Sequence, residues 1–482
     1  MVFFVAKVIS FILAIVAISF ILPIICGLYF GEIAAVNAFL PPMIFCLVLA
    51  SVLFAFGRKR KAPRFSARAS YAMVAAAWFF VSLLGAVPFM LSGAIPDFAD
   101  AFFESVSGFS TTGATILSEV ESLPHCINLW RLQTHWLGGM GIVVLTVALL
   151  PLLGVGGFQL IKAETTGPEK GKMTPKMAVT AKILWFIYLG MTVLETILLL
   201  IAGMPFWEAL AHSFATLGTG GFSSRNASIG AFNSPAIEWI CAVFMGLSGV
   251  NFSLYYMLLI GKGKSILQNS EFKAYILLLF VSTAIVTFSI LPLYANFGQA
   301  LRYSVFQVVS INTTTGFATA DFTLWPPLAQ LVIFMLFFVG GCSGSTGGGF
   351  KVVRWVILGK QAHNEMKSLL HPHGVFTIRL DGRAGRKDVV FGVAAFTFLY
   401  LATIVVTTFV AALEGTEIFS AFTAAISMVG NIGPGFGLVG PSQNYGFFTA
   451  PTKLWFCLAM IAGRLELYTI VLFFFPGFYE KR

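Results

Sequence analysis

The feature that most constrains this chain is a pattern that occurs four times. Each copy has an apolar run, a shorter amphipathic segment, a glycine-centred polar stretch, a second apolar run and a basic loop. The glycine-centred stretches, here called the glycine turns, lie between 110 and 436 and read S-T-T-G-A-T, G-T-G-G-F-S, N-T-T-T-G-F and N-I-G-P-G-F. A pattern that recurs in this way along the chain predicts four equivalent structural units, numbered 1 to 4 in chain order.

Composition indicates that these units lie in a membrane. Of the 482 residues, 58% are hydrophobic and 10% charged, whereas ordinary soluble domains carry roughly 25% charged residues. Two more apolar runs, Val2–Phe30 and Val36–Phe56, precede unit 1, and each exceeds the about 20 residues that cross a bilayer. The first is too long for a signal peptide and has no small-residue cleavage site after it. We therefore expect an all-α integral membrane protein with ten spans, namely an N-terminal pair and two per unit.

The distribution of positive charge predicts the orientation of the spans. Lys and Arg concentrate in five segments, at 58–68, 162–182, 262–273, 351–387 and 481–482. The positive-inside rule places these segments, and with them both termini, in the cytoplasm. The amphipathic segment of each unit must then enter from outside and turn back. Non-helical backbone at this depth is tolerated only when protein buries it or when it lines a water-filled cavity, so four such segments predict a pseudo-fourfold ring around a central pore.

This organisation divides the chain into five parts. They are the N-terminal pair of helices at 1–68, unit 1 at 69–177, unit 2 at 178–271, unit 3 at 272–385 and unit 4 at 386–482. Each unit is expected to contain a transmembrane helix, a pore helix and a second transmembrane helix.

Other motifs in the chain do not point to catalysis. The G-x-G-x-x-G match at 435–440 follows a predicted helix and not a strand, so it lacks the context of a dinucleotide site. The six cysteines are scattered without a C-x-x-C pair, which indicates neither a disulfide framework nor a zinc site. The basic clusters are short and join apolar runs, unlike a nucleic-acid-binding surface. We expect no enzyme activity, no organic cofactor and no nucleic-acid partner.

The glycine turns have the properties of a cation filter. A short helix descending from outside directs its unsatisfied carbonyls and partial negative charge toward the bilayer centre. Glu104, Glu208 and Glu417 lie near the predicted starts of three such helices, where acids complement the dipole, while the third has Arg302 nearby. Glycine then permits a partly left-handed path that turns carbonyls toward an axis. The turns carry no acidic ring, which favours a carbonyl-lined filter for monovalent cations over a calcium filter.

These turns, with G-G-C-S-G-S-T-G-G-G-F-K at 340–351 and G-R-L-E-L at 463–467, resemble the TrkH branch of the Trk/Ktr/HKT potassium-transporter superfamily over essentially the whole chain. The resemblance implies K+ as the transported ion, a homodimer in a bacterial inner membrane, and a cytosolic nucleotide-binding regulatory subunit of the TrkA type. It also implies a filter at the glycine turns. The residues assigned to the filter are Thr111, Thr112, Gly113, Leu217, Gly218, Thr219, Gly220, Thr314, Thr315, Gly316, Asn431, Ile432 and Gly433.

A glycine-rich stretch interrupts the second apolar run of unit 3. Glycine in a helix interior costs about 1 kcal/mol per residue relative to alanine, so this stretch predicts a flexible intramembrane loop, and the family resemblance implies that it is the gate. We call residues 340–349 the gate loop. The residues assigned to it are Gly340, Gly341, Ser343, Gly344, Ser345, Thr346, Gly347, Gly348 and Gly349.

Arg464 lies inside the last apolar run, where an ionisable group is costly and faces a cavity or a partner. We assign it to gating, with its charge under the filter; an internal salt bridge with Glu466 is the alternative. Glu195, His135 and His212 also lie in or near apolar runs and are interpreted as packing residues.

Two other functions stay open at this stage. Each turn keeps one dominant glycine where potassium channels have T-V-G-Y-G, so a sodium-permeating or weakly selective member of the superfamily is an alternative. A substrate-coupled secondary transporter is less well supported, because that class usually carries inverted repeats, whereas these units run in the same sense.

Overall fold

A computed structural model describes residues 2–57, 67–141, 177–381, 383–384, 387–476 and 479. The basic segments at 58–66 and 162–176, the end of the second apolar run of unit 1 and the C-terminal pair at 481–482 lie outside these residues. The protein is predominantly helical. The N-terminal pair comprises α1 Val2–Ser19, α2 Ile21–Tyr29, α3 Ile33–Asn37 and α4 Leu40–Gly57.

Units 1 and 2 follow in chain order. Unit 1 comprises α5 Ala67–Leu91, α6 Phe98–Phe109 and α7 His125–Gly139. Unit 2 comprises α8 Met177–Ile201, α9 Phe206–Gly218, α10 Pro235–Ser248 and α11 Phe252–Leu259, and the short α12 Lys264–Gln268 joins it to unit 3.

Units 3 and 4 have the same order of elements. Unit 3 comprises α13 Ser270–Ile290, α14 Phe297–Asn312, α15 Pro327–Leu336 and α16 Val352–Leu370, followed by a two-stranded antiparallel hairpin of β1 Arg379–Leu380 and β2 Arg383–Ala384. Unit 4 comprises α17 Lys387–Ala412, α18 Ile418–Gly430, α19 Ala450–Arg464 and α20 Tyr468–Val471.

In units 2 and 4 the second apolar run departs from the expectation of a continuous span. Among the described residues, six helices are long and apolar enough to cross a membrane, or up to eight if each bent pair counts as one span. In unit 2 the chain bends by 92° between α10 and α11, and in unit 4 by 117° between α19 and the segment from Tyr468 to Phe474. A break was expected only in unit 3. Among the described residues, glycine enrichment therefore marks the longest interruption but does not reveal the bends in units 2 and 4.

The units pack in cyclic order. The second-run helix α7 of unit 1 packs against the short helix α9 of unit 2, α10 packs against α14 of unit 3, and α19 of unit 4 returns to α6 of unit 1. Between units 3 and 4, Phe334 lies 5.7 Å from Phe419, ring centroid to centroid. Each short helix is thus enclosed by its own unit and by the preceding one, and the four form a ring.

The N-terminal pair is joined to unit 1 through a carboxylate. Glu32, between α2 and α3, accepts hydrogen bonds from the backbone N–H groups of His125 at 2.7 Å and Cys126 at 3.0 Å. These donors belong to the first turn of α7, where no intrahelical acceptor is available. His125 also places its Nδ1 2.7 Å from the same carboxylate. Glu32 therefore caps α7 from outside the unit.

Candidate functional site

The second helix of each unit, α6, α9, α14 and α18, is the short helix that leads into the glycine turn. All four end in the same backbone conformation. The residues after the helix end with left-handed φ are Thr111 (56°), Thr219 (54°), Thr314 (58°) and Asn431 (53°). In each unit the next N–H reaches five residues back to a helix carbonyl. The donors and acceptors are Thr112 to Ser107 at 2.9 Å, Gly220 to Ala215 at 2.9 Å, Thr315 to Ser310 at 2.8 Å and Ile432 to Ser427 at 3.0 Å. These bonds satisfy carbonyls that a helix end leaves without partners and establish which residues are equivalent.

Two residues after each of these positions lies a glycine that also has a positive φ. The four are Gly113 (77°), Gly221 (80°), Gly316 (84°) and Gly433 (98°). In unit 2 the equivalent glycine is thus Gly221, one residue after the predicted Gly220, which corresponds instead to Thr112. The alignment of the unit 2 turn on Gly220 was wrong by one position. Leu217 and Gly218 are the last two residues of α9 and precede the left-handed residue Thr219.

The four turns meet edge to edge in a closed ring. A Cβ atom at Gly113 would overlap the carbonyl oxygen of Gly220, and one at Gly433 would lie 2.6 Å from that of Thr112. The intermediate neighbours follow the same rule, with Gly221 against the Thr315 carbonyl and Gly316 against the Ile432 carbonyl. Each glycine therefore faces the carbonyl of the next unit, and only a residue without Cβ permits this approach.

A cavity of about 150 Å³ lies at the ring. All four ring glycines line it, together with polar residues of the loops that follow them, among them Ser118, Asn226 and Asn444. Because every unit contributes to its wall, the cavity lies where the four turns converge.

A buried ion pair supports the ring from the side of unit 1. Arg131 on α7 lies 2.7 Å from Glu104 on α6, and both side chains are at most 1% exposed. Glu104 also accepts from Thr115 and from the N–H of Ile116, at 2.9 and 3.1 Å. Glu104 was expected to complement the dipole at a helix start. It instead lies within α6 and fixes the irregular segment that follows the unit 1 turn, together with Arg131, which the sequence analysis did not single out.

His135 contacts two units at once and is more than a packing residue. Its Nδ1 lies 2.8 Å from the carbonyl oxygen of Gly108 near the end of α6. Its Nε2 accepts from the N–H of Phe222, which follows the unit 2 ring glycine, at 3.2 Å. Arg131 and His135 are four residues apart on α7 and thus share one face. Two polar residues at this spacing in an apolar run are the signal that could have identified them.

The interruption in unit 3 is wider than the predicted gate loop. Helix α15 ends at Leu336 and α16 begins at Val352, so residues 337–351 are not α-helical. Within it, Gly340, Gly341, Ser343, Thr346, Gly347 and Gly348 are buried, whereas Gly344, Ser345 and Gly349 are half-buried.

The gate loop lies directly against the ends of the short helices. The N–H of Gly348 donates to the hydroxyl of Thr314 at 2.6 Å. A Cβ at Gly348 would lie 2.6 Å from the carbonyl oxygen of Gly430, and one at Gly347 would lie 2.9 Å from that of Thr313. The loop thus fills the space beside the turns of units 3 and 4.

One carboxylate connects the gate loop to the start of α16. Glu271, near the start of α13, accepts from the N–H of Ser343 at 2.6 Å and from that of Val353 at 3.1 Å. The N–H of Cys342 donates to the carbonyl of Gly249, at the bend in unit 2, at 2.8 Å. The loop is therefore anchored to α13 and to unit 2, besides the turns of units 3 and 4 that it covers.

Arg464 connects the gate loop to unit 1. Its guanidinium donates to the carbonyl oxygen of Thr346 at 2.8 Å and to those of Gly138 and Gly139 at 2.7 and 3.0 Å. Glu466, which the alternative interpretation paired with Arg464, lies 2.8 Å from Arg354 on α16. Arg464 therefore bridges the last turn of α7 and the middle of the loop.

Comparison with known proteins identifies the family. The chain matches the TrkH family, described as cation transport protein, over residues 36–479. The Trk system potassium uptake protein TrkH of Salmonella typhimurium is 39% identical over 96% of both chains, and that of Vibrio parahaemolyticus is 36% identical over 98% of this chain and 99% of its own. The crystal structure of the potassium transporter TrkH from Vibrio parahaemolyticus superposes with a TM-score of 0.87 at 34% identity, covering 99% of both chains. The chain is a multi-pass membrane protein and belongs to the TrkH family of cation transport proteins.

Proposed function

We propose that this protein is the potassium-conducting pore of a bacterial Trk-type uptake system. The observation that carries the proposal is the closed ring in which each glycine faces the carbonyl of the next unit. Rings of backbone carbonyls select cations by replacing their hydration shell. The relatives from Salmonella typhimurium and Vibrio parahaemolyticus are named potassium uptake proteins, which favours K+ as the ion.

Ions cross by diffusion through the ring and not by coupled alternating access. Four units that run in the same sense and contribute equivalent turns favour a single axial path. Coupled carriers instead bind substrate at the interface of repeats that move against one another.

The gate loop obstructs this path until it moves. Its position against Thr314 and Gly430 and its hydrogen bond to Arg464 support this role. The positive charge of Arg464 adds an electrostatic barrier to cations when the loop is in place.

Other components complete the system. The protein forms a homodimer in the bacterial inner membrane, with both termini in the cytoplasm. A TrkA-type nucleotide-binding subunit binds the cytoplasmic side and moves the loop. The name Trk system, which the relatives share, supports an assembly of several components.

Flux into vesicles tests the proposed function. The purified protein in lipid vesicles is expected to admit K+ and Rb+ faster than Na+, whereas vesicles without protein admit neither. Equal rates for K+ and Na+ would favour the sodium-permeating alternative. Uptake that saturates and requires a proton gradient would contradict a channel-like path.

A deletion tests the gate. Removal of residues 344–347 is expected to raise K+ uptake in cells that lack the regulatory subunit, because the obstruction beside the ring is shortened. Unchanged uptake at equal membrane abundance would count against gating by this loop.

A further inference from the structure

Unit 2 differs from the others at one position of the ring. The residues between the two left-handed positions are Thr112, Gly220, Thr315 and Ile432, as their equivalent N–H bonds establish. Thr112, Thr315 and Ile432 carry side chains that are 0% exposed and fill space behind the ring. Gly220 has no side chain, so the space behind the unit 2 turn needs another occupant.

The backbone does not require glycine at Gly220. The positive φ angles of this turn belong to its neighbours, Thr219 at 54° and Gly221 at 80°, and Gly220 is not among the residues with positive φ. The three equivalent positions accept side chains in the same conformation. Gly220 is therefore glycine because of its surroundings and not because of its own dihedral angles.

The surroundings consist of the imidazole of His135. Three ring atoms of His135 lie within 2.5 Å of the place where a Cβ of Gly220 would be, whereas ordinary contacts begin at 3.4 Å. His135 is itself 0% exposed and comes from unit 1, so its ring occupies the position that a residue of unit 2 leaves empty.

The hydrogen bonds of His135 fix the ring in that position. Because the Phe222 N–H is a donor, Nε2 must accept, and Nδ1 then carries the proton donated to Gly108. The ring also lies against the Phe222 side chain, with a centroid separation of 4.3 Å. Both nitrogens of the neutral imidazole are thus used, one for each unit.

We propose that His135 is a positioning residue that replaces, across the boundary between units, the side chain missing at Gly220 and so sets the cation selectivity of the ring. Gly220 and Gly221 are consecutive glycines, which gives this turn more conformational freedom than the other three. The imidazole of His135 and its bond to Phe222 restrain the turn from the side of unit 1. Without the imidazole and this bond, the carbonyls of Gly220 and its neighbours lose a fixed spacing. Discrimination between K+ and Na+ is then lost before K+ conduction is.

Substitutions that exchange side-chain volume between the two positions test this role. Gly220→Ala is expected to reduce K+ flux about tenfold or more, since its methyl group overlaps the imidazole of His135. His135→Ala is expected to retain K+ flux and to lower the K+/Na+ flux ratio about fivefold or more. His135→Ala with Gly220→Thr, which gives unit 2 the residue of units 1 and 3, is expected to recover at least half of that ratio. Gly190→Ala is the control, because nothing lies within 4 Å of its Cβ position.

The proposal rests on the proposed function, and the experiment separates the two. A wild-type protein that fails to prefer K+ refutes the function. A selective wild type with wild-type ratios in His135→Ala, or a double variant no better than the worse single one, refutes the role of His135. If His135→Ala does not reach the membrane, His135→Asn keeps a donor for Gly108 but cannot reach Phe222. A reduced ratio in this variant supports the role, and an unchanged ratio overturns it.

Discussion

Replacement of Arg464 by alanine is expected to increase K+ conduction in the absence of a regulatory subunit. The guanidinium donates three hydrogen bonds, one to the gate loop at Thr346 and two to the last turn of α7 at Gly138 and Gly139. Alanine removes all three and the positive charge near the conduction path. The loop then loses its connection to unit 1 while its contacts with units 2, 3 and 4 remain.

The size of the effect is worked from the hydrogen bond to Thr346 in the loop. A hydrogen bond to a charged group contributes about 1.5–3 kcal/mol, and each 1.4 kcal/mol changes an equilibrium about tenfold. Where the obstructed state predominates, the conducting fraction of Arg464→Ala is expected to rise by about 10- to 100-fold.

Rb+ uptake into vesicles that contain only this protein measures that fraction, and single-channel recording separates open probability from conductance. Arg464→Lys keeps the charge but cannot reproduce the fork of hydrogen bonds. It is therefore expected to raise open probability while leaving the electrostatic barrier in place. Arg302→Ala is the matched control, because Arg302 pairs with Glu238 at 3.0 Å and not with the gate loop.

Two results would refute the reasoning. An open probability in Arg464→Ala equal to that of the wild type would show that the bond to Thr346 does not hold the loop. An equal increase in Arg302→Ala would show that loss of any half-buried arginine loosens the pore.

Three further predictions follow from other contacts. Gly113→Ser is expected to lower the K+/Na+ flux ratio at least about tenfold, because the left-handed φ and the carbonyl of the next unit both exclude a side chain; an unchanged ratio would favour the weakly selective alternative. Glu271→Gln is expected to raise K+ uptake without a partner by about tenfold, since the neutral amide holds the N–H groups of Ser343 in the loop and Val353 in α16 less strongly; unchanged uptake would be inconsistent with a clamp at Glu271. Burial acts to raise the pKa of Glu32, but hydrogen bonds from Cys126 and His125 outweigh it and hold that pKa below its ordinary value of 4.5. Its contribution to stability is present above pH 4.5 and is lost as pH falls through the lower folded pKa, so the melting temperature of the detergent-solubilised protein is expected to fall more steeply below pH 4.5 than that of Glu32→Gln.

Local chemistry made most of the fold predictable. Long apolar runs can satisfy their backbone in a bilayer only as helices, and the recurrence of the glycine turns indicated four equivalent units. Gly113, Gly316 and Gly433 were identified because a left-handed turn favours glycine wherever it occurs. The non-helical segment at the gate loop was predicted for a related reason, since its glycines make a continuous helix costly.

The sequence by itself thus determined a helical membrane protein of four similar units, each with a glycine turn, because apolar length and glycine conformation are properties of short segments. The register of the unit 2 turn, the partner of Glu466 and the bends after α10 and α19 depend on residues far apart in the chain. Tertiary structure alone decided that Arg464 reaches Thr346 and that His135 lies where Gly220 has no side chain. The physical reason is that the sequence shows glycine in both cases, whether its own dihedral angles or a neighbouring unit requires it. Only the packing in the folded protein distinguishes the two.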